Sequence, residues 1–150
     1  VSAWIPFDSV TRFNGGMAYV PGSHNAGGLI PVDITHRSEP YNILADPLIC
    51  GAQPKWVDVE PGSVIWHHGF TVHQAAENQS DSVRRVFTIV YIASDATRRR
   101  HWPCFPLDRE QIVVGEALRG KGIPIVWPAP KSLPSPPSMV GVETGPQIHV

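Results

Sequence analysis

The chain has 150 residues, 42% hydrophobic and 17% charged, with a formal net charge of -1. That is one domain's length, enough for a core of its own, and it carries neither the basic footprint of a nucleic-acid binder nor an acidic solvating tail. Cys50 and Cys104, in no C-x-x-C, are too few for a disulfide framework and point to a reducing, cytoplasmic setting, and no apolar run approaches the roughly 18 residues of a membrane span.

The opening "VSAWIPF" lacks both a Met and the pattern of a signal peptide, and it is strand-like from its first residue. The sequence is therefore expected to be a fragment whose natural N-terminus lies upstream, which leaves targeting unassigned. Sixteen prolines and thirteen glycines then cut the chain into short pieces with no long 3.6-residue apolar period. Strands are predicted, in order, at Val1–Phe7, Met17–Val20, Lys55–Val59, Ser63–His67, Thr71–Ala75 and Arg85–Ile92, each rich in β-branched or aromatic residues. Between them, "RFNGG" (Arg12–Gly16) has Asn-Gly turn chemistry, "VPGSHNAGG" is a loop, Thr35–Lys55 is a long variable loop, and "EPGS" is a tight turn. The basic run Arg98–Arg100 is expected as a solvated turn, and Glu110–Leu118 as one short helix. From Pro124 onward the proline density predicts an extended tail, disordered toward its end. Many short strands with little helix predict an all-β antiparallel sandwich, barrel or jelly roll.

Chemistry concentrates in "WHHGFTVHQAAENQSDSVRR", from Trp66 to Arg85. His67 and His68 are neighbours on a strand and face opposite ways, so at most one can enter a site; both are expected to be packed or surface residues. His73 differs, because Asn78, Ser80 and Arg84 follow five, seven and eleven residues later across a polar turn. If the strands on either side of that turn are neighbours, Arg84 returns near His73 on the face of Val86, Thr88 and Val90. A neutral imidazole suits a first-row metal, a guanidinium fork suits a carboxylate, and a buried arginine without an anion would be costly.

The stretch "GSVIWHHGFTVHQAAENQSDSVRRVFTIVYI" resembles the C-terminal part of the phytanoyl-CoA dioxygenase family, iron(II)- and 2-oxoglutarate-dependent oxygenases on a double-stranded β-helix. "VSAWIPFDSVTRFNGGMAYVPGSH" is similar to the family's tryptophan strand, Asn-Gly turn and Pro-Gly-Ser-His loop, and "WPCFPLDREQIVVGEALRGKGIPIVWP" more weakly to its C-terminal region. The resemblance implies a double-stranded β-helix (jelly-roll or cupin-like) incomplete at its N-terminus. Residues 1–128 would be the C-terminal part of that domain and residues 129–150 a Pro-rich tail. It implies Fe(II), 2-oxoglutarate and O2, with His73 as metal ligand, Arg84 clamping the far carboxylate of 2-oxoglutarate, and Trp4 lying against that co-substrate. Ala75 stands where the family has a serine that hydrogen-bonds 2-oxoglutarate, and Gly62-Ser63 stands for the family's Gly-Asp. His24 is expected to be structural, and Asn14 and Gly15 to form a turn near the mouth of the site.

The family's other two metal ligands come from a His-x-Asp motif. No histidine here has Asp or Glu two positions on. In relatives the motif lies upstream of the position of Trp4, hence before Val1, and the unseen carboxylate leaves hydroxylation and halogenation both open. The implied activity is hydroxylation of a small organic substrate with release of succinate and CO2, without nucleic-acid or membrane partners. The fragment alone is expected to leave open sheet edges and to bind iron poorly. The alternatives are a metallo-cupin using His68 and His73, and a non-catalytic β-sandwich binding module.

Overall fold

The computed structural model of the protein describes residues 1–27, 29, 42–128 and 131. Of the tail expected from Pro124 onward only residues 124–128 and Lys131 are described, and the first part of the Thr35–Lys55 loop, residues 35–41, also lies outside the described residues.

All six predicted strands form, each trimmed at its ends: β1 (Ser2–Pro6), β2 (Met17–Tyr19), β3 (Lys55–Val57), β4 (Ile65–His67), β5 (His73–Ala75) and β6 (Val86–Val90). They make two antiparallel three-stranded sheets, ordered β4-β1-β6 and β3-β2-β5. The central strands are the buried ones. Ala3, Trp4 and Pro6 of β1 and all three residues of β2 are buried, because a strand flanked on both sides is covered by its neighbours' side chains as well as by the opposite sheet. Trp4 from one sheet and Met17 and Tyr19 from the other share a core with Val10 and Val59, and Ile65 and Val86 pack against it. Two-residue alternation places Trp4, Ile65 and Val86 on one inward face, and Met17 and Tyr19 on the facing one.

The strands flanking the polar turn are not neighbours. β5 pairs with β2 and β6 with β1, so the chain crosses from one sheet to the other over residues 76–85. That length suits a crossing better than a hairpin, whose loop is usually 2–5 residues. The crossing is pinned to the Asn-Gly turn: Asn14 bridges to Asn78, the Gln79 amide donates to Phe13 O (3.0 Å), and the Ala76 amide donates to Gly16 O (2.9 Å).

Two compact units divide the chain, Val1–Tyr91 with both sheets and Ile92–Val150. In the second, the helix falls at α1 (Phe105–Arg109) instead of Glu110–Leu118. Pro106 fits the first helical turn, where its missing N–H costs nothing, and the Asp108 carboxylate accepts from the Cys104 amide (2.8 Å). Past α1 the backbone takes positive φ at Gln111 (57°) and Gly115 (95°), which breaks any helix through that segment. Arg98 also departs from expectation. It is buried, donating to Ile112 O (2.6 Å) and Trp102 O (2.9 Å) and pairing with Asp108 (2.6 Å), so it is the hub of this unit and not part of a solvated run. No helix among the described residues is long and apolar enough to cross a membrane.

Candidate functional site

β5 sets His73 directly opposite Tyr19 of β2. Their rings lie nearly parallel, with centroids 5.8 Å apart and an interplanar angle of 29°. The Nδ1 atom of His73 is 2.8 Å from Thr71 O. A carbonyl oxygen only accepts, so Nδ1 carries the proton and Nε2 keeps its lone pair, the tautomer that a metal ligand needs. Among the described residues β5 is an edge strand of its sheet and is exposed along its length.

The approach to His73 is held by a residue that sequence reasoning did not single out. Ser23, buried in the Pro-Gly-Ser-His loop, donates from Oγ to Val20 O and accepts from the Val72 amide, both at 2.8 Å. It therefore ties the end of β2 to the residue just before His73. The available signal was the Ser in a tight loop, a residue type whose hydroxyl bonds nearby backbone.

The histidine doublet splits as alternation requires. His68 turns toward His24 (centroids 5.5 Å apart) and Phe70 (5.4 Å), and its Nδ1 accepts from the Phe70 amide. His67, two residues after the inward-facing Ile65, points inward instead. Its ring meets His73 at 5.0 Å and Tyr19 at 5.2 Å. Of the two, His67 is the one that joins His73, so the His68–His73 pair considered for a cupin does not form. Burial, and after it the charge His73 can carry, pushes the His67 pKa down, so its imidazole is held neutral.

Arg84 occupies the other end. Its Nη1 donates to Gly15 O at 2.6 Å, and its guanidinium carbon lies 5.5 Å from the centre of the Trp4 ring, a cation–π contact. Gly15 sits at φ 92°, a left-handed conformation that favours glycine, and a Cβ there would meet Arg84 Nε at an ordinary 3.5 Å. Among the described residues no carboxylate pairs with Arg84. Arg85 differs: both faces of its fork are taken by Asp8, at 3.1 and 2.5 Å, and the guanidinium holds the Asp8 carboxyl down at about 2.

Along the inward face of the second sheet, Tyr19 and His73 form one row, Met17 and Ala75 the next, and Gly15 with Arg84 lies beyond. Ala75 offers a methyl group and no hydrogen bond at the middle row. Trp4 touches Arg84 and shares a core with Tyr19, which links the two ends. Asn78 and Ser80 build the crossing turn: Asn78 Oδ1 accepts from the Ser80 amide (3.0 Å) and hydroxyl (2.7 Å), and Asn78 Nδ2 donates to Ser82 O. Asn14 likewise braces its own turn, accepting from the Thr11 amide and donating to Ser9 O.

The donor set suits part of a metal site. His73 presents a free imidazole nitrogen with its ring already oriented, but among the described residues no group of three or more His, Cys, Asp or Glu side chains is placed to hold an ion. Arg84 suits one end of a dicarboxylate.

Comparison with known proteins bears on this arrangement. The phytanoyl-CoA dioxygenase (PhyH) family model matches residues 1–86, a span that includes both His73 and Arg84. The chain is similar to phytanoyl-CoA dioxygenase domain-containing protein 1 of Danio rerio, 30% identical over 65% of this chain and 34% of that protein. It is also similar to a phytanoyl-CoA dioxygenase of Arabidopsis thaliana, 31% identical over 63% of this chain and 33% of that one. Among solved structures it resembles the non-heme alpha ketoglutarate dependent carbocyclase SnoK from nogalamycin biosynthesis, with a TM-score of 0.62 and 33% identity over 82% of this chain and 47% of that one. The chain thus spans about a third of the length of these curated relatives and about half of the solved structure.

Proposed function

The chain belongs to the phytanoyl-CoA dioxygenase family, and on that basis we propose that it forms part of an Fe(II)- and 2-oxoglutarate-dependent dioxygenase, built on a double-stranded β-helix, that hydroxylates a small organic substrate. Two antiparallel sheets sharing one core, and the likeness to a 2-oxoglutarate-dependent enzyme, support that fold.

Bound iron and 2-oxoglutarate would supply the oxidation, O2 being consumed with release of succinate and CO2 and insertion of one oxygen atom into a C–H bond. The chain's own residues bind and orient. His73 ligates the metal through Nε2, its ring fixed by the Nδ1–H bond to Thr71 O. Arg84 takes the far carboxylate of 2-oxoglutarate, aimed by Gly15 O and the Trp4 face. Trp4 and Met17 keep water from the middle of the site, and Ala75 leaves room there. The remaining metal ligands, a His-x-Asp in the family, would come from protein beyond these residues.

The observation that carries the reading is Arg84, a guanidinium held by one carbonyl and one ring face and left without a carboxylate, while the adjacent Arg85 has its own. Such a fork is built to receive an anion. The test is an anaerobic Fe(II) titration of the full-length protein, followed by measurement of succinate formed from 2-oxoglutarate in air. One iron per chain, Fe(II)-dependent succinate, and loss of iron binding in His73→Ala are expected. A full-length protein that binds no iron and forms no succinate would instead be a binding module.

A further inference from the structure

Tyr19 and His67 hold the only two buried side-chain polar atoms among the described residues that have no hydrogen-bond partner: the phenol oxygen of Tyr19 and Nδ1 of His67. Both belong to rings in contact with each other (5.2 Å) and with His73 (5.8 and 5.0 Å). Tyr19 is 8% exposed and lies in the core with Trp4, Met17 and Val59. Packing does not explain either polar atom. A phenylalanine would fill both positions in this aromatic and aliphatic surround without stranding a donor, and a stranded donor costs roughly 1–3 kcal/mol. Two such atoms beside the metal-ligand position mark a place where a bound acceptor completes the site.

The acceptor's identity follows from the other end. Arg84 can take one carboxylate, and the ligand read for this site has two. The row of Tyr19 and His73 is separated from Gly15 and Arg84 by the single row of Met17 and Ala75. A chain as short as 2-oxoglutarate, anchored at Arg84, places its second carboxylate in the Tyr19 row. There the Tyr19 phenol O–H is one donor, and His67 in its Nδ1–H tautomer offers a second. We propose, resting on the reading that 2-oxoglutarate binds here, that Tyr19 and His67 are two further donors for it, hydrogen-bonded to the carboxylate nearest His73.

The test uses the full-length protein, Fe(II)-loaded and anaerobic, with 2-oxoglutarate as the titrant and its Kd as the readout; metal affinity is measured separately. Tyr19→Phe keeps the ring and removes only the hydroxyl; His67→Phe keeps an aromatic ring, slightly larger, and removes both ring nitrogens. Each is expected to raise the Kd about five- to tenfold with metal affinity unchanged, and His67→Gln, which keeps a donor, is expected to recover part of the loss. If both phenylalanine variants bind 2-oxoglutarate within about twofold of the parent while Arg84→Ala weakens it, the two donors serve something else and the proposal fails with the clamp intact. Loss of metal binding in His67→Phe would also overturn it, by making His67 a ligand. If the parent itself does not bind 2-oxoglutarate, the proposed function and this inference fall together.

Discussion

Asp8 and Arg85 lock together on the surface, and among the described residues the adjacent Arg84 has no carboxylate partner. The pairing has a pH signature. The Asp8 carboxyl sits at about 2 in the folded chain, chiefly through its hydrogen bonds to Arg85, against roughly 3.9 when unfolded. A lowered folded-state pKa stabilises the protein above the unfolded value, and that stabilisation fades as pH falls toward the folded one. Asp8→Asn should therefore lower Tm slightly at neutral pH, since the pair is exposed, and the gap from the parent should close as pH is lowered from about 4 to about 2. A gap that persists unchanged in acid would show that the pair is not its source. At this scale the sequence was informative where spacing carried the signal: His73 and Arg84 stand out by their separation and the polar turn between them. It was silent on Tyr19, an ordinary strand aromatic until a histidine is known to lie opposite, and it left open which of His67 and His68 turns inward. Alternation says only that two adjacent histidines diverge; which one turns inward depends on the pairing of β4 with β1.

At the scale of elements, the Asn-Gly turn does more than reverse the chain. It presents Gly15 O to Arg84 and anchors the crossing that carries Arg84 between sheets. The next residue allows no side chain: a Cβ on Gly16 would come within 2.6 Å of Thr11 O, a backbone atom that cannot move aside. Gly16→Ala is expected to destabilise the protein by about 1–3 kcal/mol in a denaturant melt and, by shifting Gly15 O, to weaken 2-oxoglutarate binding as well. Ala at this position with parental stability would show that the turn is looser than described. In the second unit, Arg98→Ala strands Ile112 O and Trp102 O and frees Asp108, at a cost of about 2 kcal/mol, seen as a lower unfolding midpoint. All six strands were legible because short β-branched and aromatic runs bounded by Gly and Pro have few alternatives. The helix was not, because Glu110–Leu118 has helical composition, whereas Pro106 and the Asp108 carboxylate at the Cys104 amide favour the segment just before it.

In the first unit, Val1–Tyr91, two sheets share a core, with the proposed metal ligand on β5 and the anion clamp just ahead of β6. Both are outer strands of their sheets among the described residues. The pairing of strands across the two sheets could not be read from the sequence, since the polar turn was equally compatible with a hairpin. What decides it is contact with the distant Asn-Gly turn. One imidazole, His73, makes a weak Fe(II) site, so the 150-residue chain by itself should bind Fe(II) much more weakly than the full-length protein, as anaerobic titration of both would show; equal affinities would mean that these residues hold the complete ligand set. The central claim is that His73 and Arg84 are the two ends of one co-substrate site. It is tested most directly by titrating 2-oxoglutarate into the metal-loaded full-length protein and its Arg84→Ala variant. A Kd raised about 10- to 100-fold with metal affinity unchanged is expected, and an unchanged Kd for 2-oxoglutarate would contradict the claim.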